Sequence, residues 1–191
     1  VIYSQWKECN NGLWNNSIIS YGAKDDLIFA GTYGKGIYVS YDKGKNWRFY
    51  GLDNKVVNSV VIIDTTVIAC GMGLGIMASN IYNASWDYRF SGLVSFNIQS
   101  MIYTYGGILA GSFDTGIYLS TNDGNSWTQK NNGLSDLAIK TLAVDGNCIY
   151  AGSSNGKLYL SNNYGENWTE IAVGIIPNEI NSIALFDNYI F

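Results

Sequence analysis

Few residues of this 191-residue chain could do chemistry. The loop carboxylates Asp53, Asp114 and Asp136 could serve as an acid and a base in glycoside hydrolysis if two of them faced each other across a cleft. The only arginines, Arg48 and Arg89, could clamp a carboxylate through the planar fork that lysine lacks. There is no histidine, which excludes Ser-His-Asp and Cys-His mechanisms within this chain and removes the usual mixed zinc sites. Cys9, Cys70 and Cys148 show no CxxC spacing, so three buried thiols are expected. No DxDxDG loop, GxSxG motif or phosphate loop occurs, and neither a metal nor a cofactor is expected. The remaining candidates are rings. Trp14, Tyr33 and Phe113 lie in segments rich in Asn and Gly, where an exposed aromatic can stack on a sugar or grip a peptide.

A repeat must position these residues. Trp6, Trp47, Trp86, Trp127 and Trp168 are spaced by 41, 39, 41 and 41 residues, the period of a propeller blade. Ala30-Gly31-Thr32, Ala110-Gly111-Ser112 and Ala151-Gly152-Ser153 keep the same phase, each followed by a run such as Ile37-Tyr38-Val39-Ser40. The second unit is the weakest copy, with Cys70 where the others carry glycine. Each unit reads as four short strands, such as Val57 to Ile63 for the first, Leu27 to Thr32 for the second, Ile37 to Ser40 for the third, and a fourth opening at the tryptophan. Several inner runs are continuously apolar, as in a sheet covered on both faces. The expected fold is therefore an all-β propeller of four-stranded antiparallel blades. Its units are residues 13–51, 52–92, 93–133 and 134–174, with partial units at 1–12 and 175–191.

The composition agrees. The 22 glycines and 22 asparagines, against a single proline, suit many tight turns. At 47% hydrophobic and 14% charged the chain can build a core, which argues against disorder and a coiled coil; the net charge of −4 argues against a nucleic-acid partner. No apolar run approaches the length needed to cross a bilayer as a helix, so membrane insertion is not expected.

Before three of the tryptophans stand Ser40-Tyr41-Asp42-Lys43-Gly44-Lys45-Asn46-Trp47, Ser120-Thr121-Asn122-Asp123-Gly124-Asn125-Ser126-Trp127 and Ser161-Asn162-Asn163-Tyr164-Gly165-Glu166-Asn167-Trp168. These resemble the Asp-box, the Ser-x-Asp-x-Gly-x-Thr-Trp signature of sialidase-type (BNR) repeats. That family includes sialidases, sortilin-like receptors, xyloglucanase-like glycosidases, a photosystem II assembly factor and many secreted bacterial proteins. The resemblance implies that the box joins the third and fourth strands, away from the ligand side, and that Ser40, Asp42, Gly44, Trp47, Ser120, Asn122, Gly124, Trp127, Ser161, Asn163, Gly165 and Trp168 are structural. Ser79-Asn80-Ile81-Tyr82-Asn83-Ala84-Ser85-Trp86 has lost both Asp and Gly, and a different turn is expected there.

On the ligand side the resemblance places Asp53, Asp114, Asp136 and the rings Trp14, Tyr33 and Phe113. Packing between blades is the plainer expectation for the rings, and Trp14 and Asp114 stand out because they break the repeat. A sialidase site would need three arginines, and Arg48 and Arg89 are expected to be solvated residues of fourth strands. An assembly factor would need a basic patch. The expected function is a non-catalytic extracellular binding or scaffold propeller for a glycan or protein ligand. The alternative is part of a secreted glycosidase of the xyloglucanase type. The terminal pieces supply a fourth strand and two inner strands without a third, so further blades of the same chain are expected to complete the ring.

Overall fold

A computed structural model describes residues 8–14, 17–171, 178–187 and 189–191. The expectation for a box-like tail at Val1 to Trp6 lies outside them. The described residues form four antiparallel four-stranded sheets in sequence order and no helix. The first blade holds β1 (Ile18–Lys24), β2 (Leu27–Thr32), β3 (Ile37–Ser40) and β4 (Arg48–Gly51). The second holds β5 (Ser59–Ile63), β6 (Thr66–Gly71), β7 (Gly75–Asn80) and β8 (Asn83–Tyr88). The third holds β9 (Ile98–Thr104), β10 (Gly107–Ser112), β11 (Ile117–Ser120) and β12 (Thr128–Gln129). The fourth holds β13 (Ile139–Asp145), β14 (Cys148–Ser153), β15 (Leu158–Ser161) and β16 (Thr169–Glu170). A hairpin of β17 (Leu185–Phe186) and β18 (Tyr189–Ile190) follows. The fold is a β-propeller.

The core lies between blades, which explains the continuously apolar runs. In β6, Val67 and Ala69 pack on Phe29, Ile37 and Val39 of the first blade, whereas Ile68 and Cys70 join Ile98, Met101 and Ile108 of the third. Alternate residues of one strand thus serve two interfaces. Leu109, Ile117 and Leu119 repeat the arrangement against Ile139, Leu142 and Ile149 of the fourth blade. Each fully buried side chain of this size contributes about 1.5–3 kcal/mol. Close approach restricts the glycine of the second strand: a Cβ at Gly111 would sit 2.7 Å from Ile139 of the next blade.

The inner strands are also laced across the blade boundaries by serine. Ser20 Oγ donates to the Val57 carbonyl at 2.6 Å, Ser59 Oγ accepts the Met101 N–H at 3.1 Å, and Ser100 Oγ accepts the Leu142 N–H at 3.2 Å.

The turns between third and fourth strands share one bonding pattern. Ser40 Oγ accepts the Gly44 N–H at 2.8 Å and donates to Asp42 Oδ1 at 2.8 Å, and that same carboxylate oxygen accepts the Asn46 N–H at 2.9 Å. Ser120, Asn122, Gly124 and Ser126 repeat these bonds, as do Ser161, Asn163, Gly165 and Asn167. An amide oxygen therefore replaces the carboxylate without loss of the turn. In the second blade β7 and β8 meet in a tight hairpin closed by Asn80 and Asn83, where Ser79 Oγ instead donates to the Asn83 carbonyl.

What all four complete units keep is the indole bond to the preceding chain. The Nε1–H groups of Trp47, Trp86, Trp127 and Trp168 donate to the carbonyls of Cys9, Tyr50, Arg89 and Lys130 at 2.9–3.1 Å. Only Trp47 also bonds back within its own turn, to the Gly44 carbonyl. The backbone N–H groups of Trp47, Trp127 and Trp168 reach the link before their blade, at Asn11, Ser91 and Asn132. These link turns require a left-handed residue, and Gly12, Gly92 and Gly133 supply it at φ 87°, 83° and 92°. The link into the second blade is two residues shorter: Gly36 N–H bonds the Lys55 carbonyl, eight past Trp47, where Gly116 N–H bonds Leu137, ten past Trp127. This accounts for the spacing of 39.

Two expectations need correction. Only Cys70 is a buried thiol, while Cys148 is half-buried with its Sγ bonded to Asn162, and Cys9 is exposed. Their places differ because Cys70 stands in a β6 position covered by the next blade, whereas Cys148 begins a strand and Cys9 lies in a link. Arg48 is exposed, stacked 4.4 Å from the Tyr41 ring centroid, but Arg89 lies just past β8, is half-buried, and donates from Nη1 to Asn125 in the next blade.

Candidate functional site

The antiparallel order puts the loops joining second to third strands on one side of the molecule, opposite the Ser-Asn/Asp-Gly turns. Tyr33, Met72 and Phe113 hold equivalent places in those loops, each directly after the buried second strand. Tyr33 and Phe113 N–H groups bond the Ser17 and Asn97 carbonyls of the links below them. The rings face solvent: Trp14 is 79%, Tyr33 69% and Phe113 47% exposed, so packing between blades does not describe them.

A cleft of about 390 Å³ opens on this side, lined by Met72, Asn97, Gln99, Phe113 and Lys140. Its position depends on register. Ile98 pairs with Ser112 and Ser100 with Gly111, leaving Gln99 as an extra residue in β9; Ile139 pairs with Ser153 and Thr141 with Gly152, leaving Lys140 in the same position in β13. A bulge releases its residue from the ladder and re-aims the side chain. The two bulged residues of consecutive blades therefore line one cleft. In β1 the bulged residue is Ile19, and β5 pairs without such a shift.

Asn97 braces the wall. Its carbonyl accepts the Phe113 N–H at 2.9 Å, its Oδ1 accepts the Gly73 N–H at 3.1 Å, and its own N–H is held by Ser95 Oγ. That leaves the Nδ2 amide hydrogens for a ligand. The Gln99 side chain makes no hydrogen bond among the described residues. Lys140 Nζ donates to Glu179 Oε2 and to Asn181 Oδ1, both at 2.7 Å. Met72, 60% exposed, and Phe113 supply apolar walls. Chemically this is a surface for binding: two amides, one paired ammonium and one ring.

Of the sequence candidates, the cleft gathers Phe113 alone. Asp114 is exposed beside it but does not line it, and neither Trp14 nor Tyr33 does. Asp53 accepts the Asn54 N–H and its side-chain amide at 3.0 and 2.9 Å, closing its own turn. Asp136 accepts the Ala138 N–H and Asn155 Nδ2, both at 3.0 Å. Burial pushes the Asp136 carboxyl up, but hydrogen bonds from Ser153, Ala138 and Asn155 outweigh it and hold the group below its ordinary value. None of these three carboxylates lines the cleft. Met72, Asn97, Gln99 and Lys140 were not singled out from the sequence. Met72 could have been found by aligning it with Tyr33 and Phe113.

A larger groove of about 530 Å³ lies on the opposite side, lined by the β1–β2 turn and the β7–β8 hairpin. Two of its polar groups already bond across it, Lys24 to the Asp64 carbonyl and the Tyr41 hydroxyl to the Ile81 carbonyl, and Asp26 is paired with Lys43.

The family described as the DUF6242 beta propeller domain matches residues 83–183, more than half of the chain and four of the five cleft residues. The chain belongs to this family. No curated protein matches the DUF6242 propeller in sequence. Among solved structures it is similar to the extracellular domain of a one component system from B. thetaiotaomicron, at 20% identity and a TM-score of 0.72, over 96% of this chain and 26% of that one. It is similar to YCF48 bound to D1 peptide, at 18% identity and a TM-score of 0.65, over 85% and 56% of the two chains. A GH74 xyloglucanase from Xanthomonas campestris aligns at 14% identity and a TM-score of 0.64, over 81% and 30%. The DUF6242 propeller thus spans less than two thirds of each, and the likeness is one of fold.

Proposed function

We propose that this domain is a non-catalytic, extracellular binding or scaffold propeller whose mouth cleft takes a glycan, with a protein segment as the second class of ligand. The observation that carries the reading is the pair of bulges that turn Gln99 and Lys140 of neighbouring blades into the cleft walled by Met72 and Phe113. Amides read sugar hydroxyls because each both donates and accepts, and a ring face covers the apolar side of a pyranose. Trp14, Tyr33 and Asp114 extend the same surface as outlying contacts. A secreted location is in keeping with the extracellular neighbour, and no helix among the described residues is long and apolar enough to cross a membrane.

The turns at Ser40–Trp47, Ser120–Trp127 and Ser161–Trp168 are read as Asp-boxes, on the strength of their shared serine and Asp/Asn bonding. Residues 1–191 are read as one partial propeller, with the remaining blades supplied by the same chain.

A glycan-array screen of the full-length protein tests the function. Binding that Phe113→Ala weakens without lowering thermal stability supports it. Absence of binding together with measurable hydrolysis of a polysaccharide would overturn it in favour of a secreted glycosidase.

A further inference from the structure

The charge state of the cleft narrows the ligand. Lys140 is the one charged residue among the five that line it, and its ammonium already has an anionic partner. Glu179 Oε2 lies 2.7 Å from Nζ and Asn181 Oδ1 at the same distance, while the Lys140 side chain is only 21% exposed. Of the three ammonium hydrogens, two are engaged, leaving one for a further acceptor. Gln99 and the Asn97 Nδ2 group add uncharged donors and acceptors. The cleft is therefore neutral as a unit, set in a chain whose net charge is −4.

An anionic ligand could use Lys140 in one of two ways. It could displace Glu179, exchanging one carboxylate for another and leaving Glu179 repelled beside it. It could instead approach the intact pair, where the Glu179 charge cancels most of the attraction. Neither gives a net gain, whereas a hydroxyl needs only the third N–H and the two amides. Like-charge placement is how a site rejects a competitor.

We infer that the cleft selects uncharged glycans over uronic-acid glycans, and that Glu179 is the residue that sets this selectivity by neutralising Lys140. The inference rests on the glycan-binding reading above. Asn181, in the same column of the repeat as Gln99 and Lys140, accepts a second hydrogen bond from the ammonium.

Calorimetry of the full-length protein with cellohexaose, mannohexaose and hexagalacturonate tests it. The wild type is expected to bind a neutral hexasaccharide at least about tenfold more tightly than hexagalacturonate, with an affinity that changes less than about twofold between low and high salt, as screening of a neutral contact should not matter. Glu179→Gln keeps the shape and the hydrogen bond but frees the charge, and should gain salt-sensitive affinity for hexagalacturonate. Preference of the wild type for hexagalacturonate overturns the inference and leaves the glycan reading standing. An unchanged charge preference in a folded Glu179→Gln overturns the role of Glu179. Failure of all three sugars to bind, alongside binding of a peptide, overturns both.

Discussion

The Trp168 indole N–H donates to the Lys130 carbonyl at 2.9 Å, tying the fourth blade to the outer end of the third. The same bond joins Trp127 to Arg89 and Trp86 to Tyr50, so the tryptophan is a connector between blades more than a cover for its own turn.

Trp168→Phe keeps most of the ring and removes that bond, and should cost about 1 kcal/mol, whereas Trp168→Ala should cost about 3–5 kcal/mol. Urea unfolding monitored by fluorescence measures both. Trp86→Phe should lose a similar amount although its unit lacks the Ser-Asn/Asp-Gly turn; no loss there would show that the turn, not the connector, carries the energy.

Of the three equivalent turn residues Asp42, Asn122 and Asn163, only Asp42 is ionisable. Hydrogen bonds from the Asn46 side chain and backbone and from Ser40 lower its pKa from 3.8 to about 2. Because the folded value is depressed, the stability it contributes is fully present above the unfolded value and is lost as pH falls through about 2. Asp42→Asn, which copies Asn122 and Asn163, should remove this acid-dependent component. Acid titrations of both proteins, followed by circular dichroism, should diverge below about pH 4.

Ser120 is buried and its Oγ accepts the Gly124 N–H at 2.9 Å. Ser120→Ala leaves that N–H without its partner, and a loss of about 1–3 kcal/mol is expected from chemical denaturation. Ser79→Ala should cost less, since Ser79 Oγ donates to a carbonyl in a hairpin whose N–H groups are bonded elsewhere.

Cys70 is fully buried, and burial pushes its thiol far above the ordinary range. Under native conditions a thiolate reagent should modify Cys148 but leave Cys70 unmodified until denaturant is added. Mass spectrometry of labelled peptides would show it; early labelling of Cys70 would mean that the seam between the second and third blades opens readily.

Phe113→Ala and Gln99→Ala should each weaken ligand binding by about tenfold, or about 1.4 kcal/mol, with melting temperatures close to the parent. Tyr33→Ala, outside the cleft, should have a smaller effect. Equal losses at Tyr33 and Phe113 would spread the contact surface across the first three blades.

The strands were largely legible because local chemistry decides them. Leu27 to Thr32 and Ile37 to Ser40 are bounded by turn residues and match β2 and β3. Val57 was expected in a first strand, but its N–H bonds the Thr32 carbonyl and its side chain plugs the first core, so β5 starts later, at Ser59. The fourth strand begins after Trp47, Trp127 and Trp168, because their N–H groups are taken by the preceding link, and before Trp86, where the hairpin is tight. The cleft was less legible for a different reason. Whether Gln99 or Lys140 faces the ladder or the mouth depends on one residue of register against β10 or β14, which no pattern within β9 or β13 declares.

The tryptophan bonds have a direction. Each reaches back to a carbonyl 36–38 residues earlier, never to one still to come. On the ribosome, a blade's tryptophan can therefore find its acceptor in chain already made, whereas one apolar face of that blade still waits for the next. A nascent chain that ends just past Trp86 should therefore keep the bond to Tyr50 while Ile68 and Cys70, covered by the third blade in the finished fold, remain bare.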